Sequence, residues 1–558
     1  MTLIPLIEMA LRPLHGRGIE NAPVLVQHLG LVLAMFGAVA AERHGHLSTL
    51  GSGVSRWGDA RFQSAVKAFA QGSAAVICGL LGFASWRFVA SEMQAAQVLA
   101  YGVPVWWVQA SMPAGFALLG VRLGARCADN GPWKAQCALA LPLAGGAAAA
   151  LLDGGSVPLW PGLLWLLCVL LSGAPIFAVL GGLALALFWG DGLPMASIAL
   201  SHYQITVNPS LPALPLFTLA GLIFARTGAA QRLGAVFLAL FGGGVRGTVL
   251  ASAVLCSAFT AVTGGSGVTI LALGGLLLPL LRESGYPEQR GIGLVTSASA
   301  LGVLLAPSVP LIMYAVIARV PIKDMLLAGL VPAVLMVVCL LVIGGYLRRG
   351  PTPAAAAPAA PQRLNAAKVA WAAKWEMLAP LVAIGSLVGG LATPTESAAL
   401  ECVRLIGGVM LILGMALALT NFLVDAGIPD LAVEWVRSVI PNRYAFMLAL
   451  CVFLFAAAAL MEIFAALVVL VPLLLPLALS YGIDPVHFGI IFLAAMEVGF
   501  LCPPAGMNLY FASAMFGKSI RYVAASVLPA MLAIFVGTIL IAWIPVLATG
   551  LPHLFSAR

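Results

Sequence analysis

Charged side chains are scarce in this chain. Asp, Glu, Lys and Arg together make up 9% of its 558 residues, against roughly 25% in soluble domains. Apolar residues reach 62%, and runs of about 20 apolar residues, the length needed to cross a bilayer, recur from one end to the other. This composition predicts an all-α integral membrane protein in the lipid bilayer. We expect about 14 to 16 membrane-embedded segments, some of them half-helices or re-entrant hairpins.

The chain also lacks the sequence patterns of common enzymes. It contains no Walker A loop, no GxSxG elbow and no HExxH pair, so it cannot hydrolyse ATP through a phosphate-binding loop. Its nine cysteines are scattered and form no CxxC pair, and most fall in apolar runs where cysteine acts as a small hydrophobe. We therefore expect a protein that is not an enzyme and that has no His- or Cys-based metal site.

The net charge of +8 has a simpler explanation than nucleic-acid binding. Lys and Arg gather in loops, as the positive-inside rule describes for membrane proteins. One basic cluster lies in a Pro/Ala-rich stretch, residues 348–375, with the core GPTPAAAAPAAPQ; it contains Arg348, Arg349, Arg363, Lys368 and Lys374. We predict a cytoplasmic linker there and no nucleic-acid partner.

Two stretches about 197 residues apart read as copies of each other. LLLPLLRESGYPEQRGIG begins at Leu276, and LLLPLALSYGIDPVHFGI begins at Leu473. Each is followed by an apolar segment that glycine and proline interrupt, GVLLAPSVP from Gly302 and GFLCPPAGM from Gly499. Irregular backbone at membrane depth is tolerated only where it is buried in protein or lines a cavity. Paired interruptions in two halves of a membrane protein indicate the binding site of a secondary transporter.

The frequency of Gly/Pro interruptions in the apolar segments changes near residue 156. Residues 1–155 hold four or five apolar segments with ordinary spacing and few breaks, which predicts a scaffold unit with a connecting helix. Residues 156–558 hold the Gly/Pro-interrupted segments and the repeat, which predicts the transport unit. Within it we place a first repeat at about 214–347, the linker at 348–375 and a second repeat at about 377–550.

Several motifs of this chain resemble those of one membrane-protein family. FTAVTGGSGVTILALGGLLLPLL from Phe259, GGLATPTESAAL from Gly389 and GIDPVHFGIIFLAAMEVGFLCPPAGMNLYFAS from Gly482 resemble the large membrane subunit of tripartite ATP-independent periplasmic (TRAP) transporters. NAPVLVQHLGLVLAMFGAVAAERHGHLS from Asn21 resembles their small membrane subunit, so the chain looks like a natural fusion of the two. The resemblance implies an inverted-repeat, elevator-type, sodium-coupled importer in the bacterial inner membrane. It also implies a periplasmic substrate-binding protein as partner, and organic acids such as C4-dicarboxylates or 2-oxo acids as cargo.

The interrupted segments can supply ligands for Na⁺ without formal charge, because broken helices present backbone carbonyls. The first candidate cation site contains the TGGSG turn and the break that follows it: Thr263, Gly264, Gly265, Ser266, Gly302, Pro307 and Ser308. Repeat symmetry and the resemblance extend the candidates to Glu462, Gly499, Cys502 and Pro503, and to the cross-over residues Thr393 and Thr395. We expect Gly265 to need the conformational freedom of glycine. The plainer explanation of such glycines is close helix packing.

Two neutral side chains are candidate contacts for a carboxylate cargo. They are Ser299, in the first repeat, and Asn508, just beyond the second break. Glu497 lies in an apolar run, where an ionisable group suggests function, and we expect it to support the broken helix through hydrogen bonds.

The chain departs from the family pattern at two places in its second half. Cys502 stands where the family usually has threonine, and after Leu400 the sequence runs directly into ECVRLIGGVMLILG, where the family has a further apolar helix. A stand-alone sodium/anion symporter of related two-repeat architecture would share the repeat and the breaks. The small-subunit-like segment favours the TRAP interpretation.

Overall fold

The computed structural model describes most of the chain. The described residues are 21–43, 59–95, 97–99, 101–127, 131–155, 158–207, 228–241, 244–347, 403–459, 463–502 and 506–556, with residues 4, 7, 19, 371, 373, 374, 378 and 461. They are predominantly α-helical, and the one isolated β-bridge among them joins Val98 and Pro104. Helices dominate because a chain surrounded by lipid must satisfy its backbone hydrogen bonds within each segment.

The helices are numbered here in chain order. Up to residue 206 they are α1 Ala22–Arg43, α2 Ala60–Ala95, α3 Val105–Gln109, α4 Ser111–Ala125, α5 Gly131–Leu152, α6 Leu159–Leu171, α7 Ile176–Gly190 and α8 Ala196–Thr206. The next group is α9 Ala229–Phe241, α10 Val245–Thr263, α11 Ser266–Glu283, α12 Glu288–Leu301, α13 Val309–Ile317 and α14 Ile322–Val342. The last group is α15 Val403–Asp425, α16 Ile428–Val439, α17 Arg443–Ala458, α18 Ile463–Ser480, α19 Pro485–Leu501, α20 Met507–Phe516, α21 Ile520–Trp543 and α22 Val546–Ser556.

Many of these helices are apolar enough for a membrane. Among the described residues, eight are long enough to cross it by length and composition, or nine if the bent pair Met410–Asp425 and Ile428–Val439 forms one span. Shorter apolar helices of 10–17 residues accompany them. The predicted all-α, multi-pass membrane fold with half-length segments is confirmed.

The chain divides into two compact units. The first comprises Met1–Pro215, Leu400–Ala432 and Val468–Leu473, and the second comprises Leu216–Ala399, Val433–Leu467 and Leu474–Arg558. In the first unit α15 packs against α1, α7 and α8. The division at residue 155 and the repeat boundaries at 214–347 and 377–550 stay predictions.

The two copies of the repeat fold alike. Ser266–Glu283 and Ile463–Ser480 are both 18 residues long and begin 197 positions apart (266 and 463). The following helices begin at Glu288 and Pro485, with the same separation (288 and 485). Each copy is therefore a pair of helices followed by a helix that leads into a break.

Equivalent glycines pack the break of each copy onto its helix pair. A Cβ on Gly302 would come within 3.0 Å of the Ser257 carbonyl oxygen and Thr260, and a Cβ on Gly499 would overlap Ala458. Gly302 and Gly499 are equivalent positions, and the breaks lie against the last turns of α10 and α17, the first helix of the pair in each copy. Close helix packing therefore explains why glycine stands at both positions.

The copies run in opposite directions. The hydroxyl of Tyr314, near the end of α13, donates to the Pro485 carbonyl at the start of α19, at 2.5 Å. At the other end, Lys518 Nζ lies 3.1 Å from Glu288 Oε1 at the start of α12. The helix leading into the second break is thus antiparallel to its equivalent in the first, as an inverted repeat requires.

Candidate functional site

The TGGSG sequence forms the turn between α10 and α11. Gly264 follows the last residue of α10 with φ +70°, ψ 0°, the left-handed conformation that favours glycine. Gly265 is extended, with φ −142° and ψ 119°, and α11 begins at Ser266. The expectation that Gly265 needs glycine's freedom is wrong, because its backbone suits any residue. The turn instead depends on Gly264, where a Cβ would also stand 2.9 Å from Val309 Cγ2.

Three threonine hydroxyls meet directly beside this turn. Thr260 Oγ1 donates to Thr269 Oγ1 at 2.6 Å, and Thr263 Oγ1 lies 3.2 Å from the same atom. The Gly265 carbonyl oxygen is 3.5 Å from Thr263 Oγ1 and 3.4 Å from Thr269 Oγ1. All three side chains are buried. This hydroxyl cluster is a compact set of neutral oxygen atoms of the type that hard cations bind.

Sequence reasoning found only Thr263 of this cluster. Thr260 and Thr269 lie outside the TGGSG motif, about one helical turn before it and one helical turn after it. Their signal was available in the helical spacing, because residues three or four apart share a helix face. Hydroxyl-bearing residues with this spacing on the two helices that flank a turn form a pattern that could have identified Thr260 and Thr269.

The first break lies against the hydroxyl cluster. After α12 the chain makes a short 3₁₀ turn, Gly302–Leu304, and resumes as a helix at Val309. The Ser308 hydroxyl donates to the Val303 carbonyl, so it points back into the break that also contains Pro307. Because Gly302 packs on Thr260, the structure brings the predicted turn and the predicted break together.

The strongest connection joins the two repeats. Ser266 Oγ donates to Asn508 Oδ1 at 2.7 Å, across 242 residues of sequence, and both side chains are buried. Ser266 is the first residue of α11, and Asn508 is the second residue of α20. Gly267 lies so close to the Phe511 ring that a Cβ would overlap it. The amino ends of two helices from opposite repeats therefore converge at one hydrogen bond.

Asn508 has donor capacity to spare at this point. Its Nδ2 is buried and has no hydrogen-bond partner among the described residues. Unpaired N–H groups at a helix amino end carry partial positive charge and favour anions. Two such ends and a spare amide form a neutral site suited to a carboxylate.

The other predicted residues are placed less centrally, or lie outside the described residues. Ser299 is buried in α12, and its hydroxyl donates to the Val295 carbonyl of the same helix at 2.7 Å. Cys502 follows α19, and its carbonyl accepts from the Gly506 N–H at 2.8 Å. Four predicted cation-site residues fall outside the described part of the chain: Thr393, Thr395, Glu462 and Pro503.

Glu497 differs from its expected role. Its side chain is fully buried in α19, and neither carboxylate oxygen has a hydrogen-bond partner among the described residues. Within the same residues no Lys or Arg side chain is buried, and no three His, Cys, Asp or Glu side chains are grouped as a metal site. Among the described residues, the buried polar side chains are hydroxyls, amides, imidazoles and the carboxyl groups of Glu42 and Glu497, and none is a Lys or Arg.

Two antiparallel copies of a helix pair with a broken helix, joined at buried polar turns, define a multi-pass permease of two-repeat architecture. Comparison of sequences identifies the family. The family model described as the DctM component of tripartite ATP-independent periplasmic transporters matches residues 163–407 and 396–547. The model described as the DctQ component matches residues 1–130. This chain belongs to the TRAP transporter permeases, with DctQ-like and DctM-like parts fused in that order.

Individual relatives agree with the family models. The chain is 30% identical over 440 residues to the C4-dicarboxylate TRAP transporter large permease protein DctM of Rhodobacter capsulatus, covering 70% of this chain and 98% of that protein. It is 30% identical over 413 residues to the isethionate TRAP transporter permease protein DctMQ of Oleidesulfovibrio alaskensis, covering 68% of this chain and 65% of that protein. The ectoine TRAP transporter large permease protein TeaC of Halomonas elongata is 28% identical over 63% of this chain and 88% of its own length. These relatives are named as permeases and not as enzymes.

The two matches to the DctM model overlap at residues 396–407, the stretch that contains the step from Leu400 to Glu401.

Among solved structures, the chain is similar to the YdaH transporter of Alcanivorax borkumensis, with a TM-score of 0.41 and 16% identity over 63% of this chain and 88% of that one.

Proposed function

We propose that this protein is the membrane component of a sodium-coupled, binding-protein-dependent importer of an organic acid, working by an elevator mechanism. The observation that carries the proposal is the meeting of Ser266 and Asn508. A site that joins the amino ends of helices from both repeats, with a spare amide donor, suits the carboxylate of a cargo.

The cargo carboxylate would bind where α11 and α20 begin. Asn508 Nδ2 has no partner there among the described residues, so a carboxylate oxygen could accept from it without breaking an existing bond. The Ser266 hydroxyl now donates to Asn508 Oδ1, and it could turn to the cargo instead. Ser299 is the second proposed cargo contact, and its hydroxyl would have to leave the Val295 carbonyl.

The hydroxyl cluster and the first break would hold one Na⁺. Thr260, Thr263 and Thr269 supply hydroxyl oxygens, and Gly265 supplies a carbonyl oxygen within 3.5 Å of two of them. Gly264, Ser266, Gly302, Pro307 and Ser308 complete the proposed surroundings. Repeat symmetry suggests a second cation position at Glu462, Gly499, Cys502 and Pro503, with Thr393 and Thr395 contributed by the cross-over segment.

The lack of buried Lys and Arg side chains among the described residues gives a physical reason for cation coupling. A carboxylate is costly to bury without a compensating charge, and no Lys or Arg is buried among the described residues. A co-bound Na⁺ can supply that compensation only while it is present, which ties uptake of the anion to the cation.

The proposed partners and location follow from the family. TRAP systems are named for a periplasmic component and for independence from ATP. We therefore infer a periplasmic substrate-binding protein that delivers cargo, and an inner-membrane location. Carboxylates such as C4-dicarboxylates or 2-oxo acids remain the proposed cargo class.

Uptake into proteoliposomes tests the proposal. The purified protein should import radiolabelled organic acid only with an inward sodium gradient and its cognate periplasmic binding protein, and added ATP should have no effect. Rapid uptake without any soluble partner would instead support the stand-alone sodium/anion symporter. Full-rate uptake driven by a proton gradient alone would contradict both cation positions.

A further inference from the structure

A cavity of about 160 Å³ lies in the first unit, far along the chain from the two breaks. Three helices and the residues just before α6 form its walls. Leu80 comes from α2, Gly162 and Trp165 from α6, and Gly182, Ala186 and Trp189 from α7. Small residues at Gly162 and Ala186 leave the space that larger side chains would fill, and a Cβ on Gly162 would make only an ordinary contact with Ala186 Cβ.

The lining of this cavity is apolar. Its described lining residues include no charged, amide or hydroxyl side chain. The indole N–H of Trp165 donates to Ser73 Oγ at 3.2 Å, so that polar group is already satisfied. An apolar cavity of about 150 Å³ stays dry and binds small apolar molecules. Water, Na⁺ and an organic acid are therefore unsuitable occupants.

The cavity opens on a surface of α6 that is itself apolar. Leu159 lines the cavity and is 37% exposed, and the neighbouring Leu163 and Leu164 are 38% and 56% exposed. In a multi-pass membrane protein, such a leucine surface faces lipid hydrocarbon. The surface that contacts the bilayer is thus continuous with the interior of the cavity.

We propose that this cavity is a binding site for one acyl chain of a membrane phospholipid. Acyl chains stand at its mouth at high local concentration, and they are flexible enough to enter without any movement of the helices. A chain end in the cavity would restore the dispersion contacts that an empty space forfeits. The bound lipid would tie α2, in the DctQ-like part, to α6 and α7, in the DctM-like part.

The test is to fill the cavity with a larger side chain and to measure whether the protein loses its bound phospholipid. Ala186→Phe places a ring in the space, while Leu164→Phe adds a comparable side chain on the exposed side of α6 and serves as the matched control. Native mass spectrometry of proteins purified in mild detergent should show one phospholipid fewer per chain in Ala186→Phe than in wild type. Leu164→Phe should retain the wild-type number.

A second measurement uses the tryptophans at the site. Two of the twelve tryptophans, Trp165 and Trp189, line the cavity. Phosphatidylcholine brominated on its acyl chains, added to the delipidated protein, should quench their fluorescence in wild type and in Leu164→Phe. Ala186→Phe should lose that part of the quenching. The same lipid should raise the thermal midpoint of wild type more than that of Ala186→Phe.

Three results would overturn the proposal. Equal lipid retention and equal quenching in all three proteins would mean that no acyl chain enters. A higher thermal midpoint for Ala186→Phe at unchanged lipid content would mean that the cavity is empty. A change of oligomeric state without a change in lipid would mean that a second copy fills it. If Ala186→Phe does not fold, Gly162→Ala narrows the same space, because its Cβ would stand 3.5 Å from Ala186 Cβ, an ordinary contact.

Discussion

The left-handed residue in the TGGSG turn allows a sharp test of the site geometry. Gly264 has φ +70°, and an alanine held in that region costs roughly 1–2 kcal/mol. Its Cβ would also stand 2.9 Å from Val309 Cγ2, and overpacking of this kind typically costs about 1–3 kcal/mol. We therefore expect Gly264→Ala to lower the free energy of unfolding by about 2–5 kcal/mol.

The neighbouring glycine provides the matched control for stability. Gly265 is extended, and a Cβ there would meet only Val268 Cγ2 at 3.6 Å. Gly265→Ala should leave the free energy of unfolding unchanged or raise it by up to about 1 kcal/mol, because alanine restricts the unfolded chain. Denaturant unfolding of both purified variants measures the difference. Equal destabilisation of the two, or a stable Gly264→Ala, would refute the assignment of the turn to Gly264.

The same variant tests the proposed cation position. Relief of the Gly264→Ala overlap would move the turn away from α13, and the Gly265 carbonyl would move with it. If displacement of the Gly265 carbonyl costs about 1.4 kcal/mol of cation-binding free energy, affinity falls tenfold, so we expect the sodium concentration for half-maximal uptake to rise about tenfold. An unchanged sodium requirement in a folded but destabilised variant would remove the turn from the cation site.

Three further predictions follow from the same contacts. Asn508→Leu should weaken apparent cargo affinity about 10- to 100-fold, as expected for a lost hydrogen bond to a charged group, and the KM of uptake at saturating sodium measures it. Ser266→Ala should raise the sodium concentration for half-maximal uptake by less than Gly264→Ala does, because it deletes one hydroxyl and keeps the backbone ligands; a sodium titration of uptake checks this order. Gly414→Ala should lower the thermal midpoint of the first unit, because the Cβ would overlap the buried His202 ring and cost about 1–3 kcal/mol.

The repeat could be predicted from the sequence because its signals are local. Proline and glycine disrupt helices by their own backbone chemistry, so a matched pattern of both at about 197 residues predicts matched breaks. The helices that begin at Ser266 and Ile463, and the breaks after Gly302 and Gly499, follow that pattern. The all-α membrane fold followed from the same source, since the length and polarity of a segment decide whether it can span a bilayer.

The contacts within the site could not be predicted in this way. The Ser266–Asn508 hydrogen bond joins residues 242 positions apart, whereas their sequence contexts predict a cation contact for Ser266 and a cargo contact for Asn508. The choice between Gly264 and Gly265 depends on which of two adjacent residues turns left-handed, and both are glycine. The position of Glu497, without a hydrogen-bond partner among the described residues, depends on the packing of several helices. Each of these is a tertiary outcome with no local sequence signal.

The scarcity of charge in this chain bears directly on the proposed coupling. If a Lys or Arg were buried at the site, an anionic cargo could bind with or without sodium, and its uptake would not depend on the sodium gradient. In the part of the chain that the structure describes, the buried ligands around the two breaks are hydroxyls, carbonyls and an amide, with Glu497 as a carboxyl group on the helix leading into the second break. Under the proposed coupling, a carboxylate cargo would bind strongly only when a cation arrives with it, because the described residues include no buried Lys or Arg and offer only the partial charges of helix ends. Introducing a buried arginine near Asn508 should therefore strengthen cargo binding and weaken its dependence on sodium. Unchanged sodium dependence in a folded variant of that kind would show that charge compensation is not the origin of the coupling.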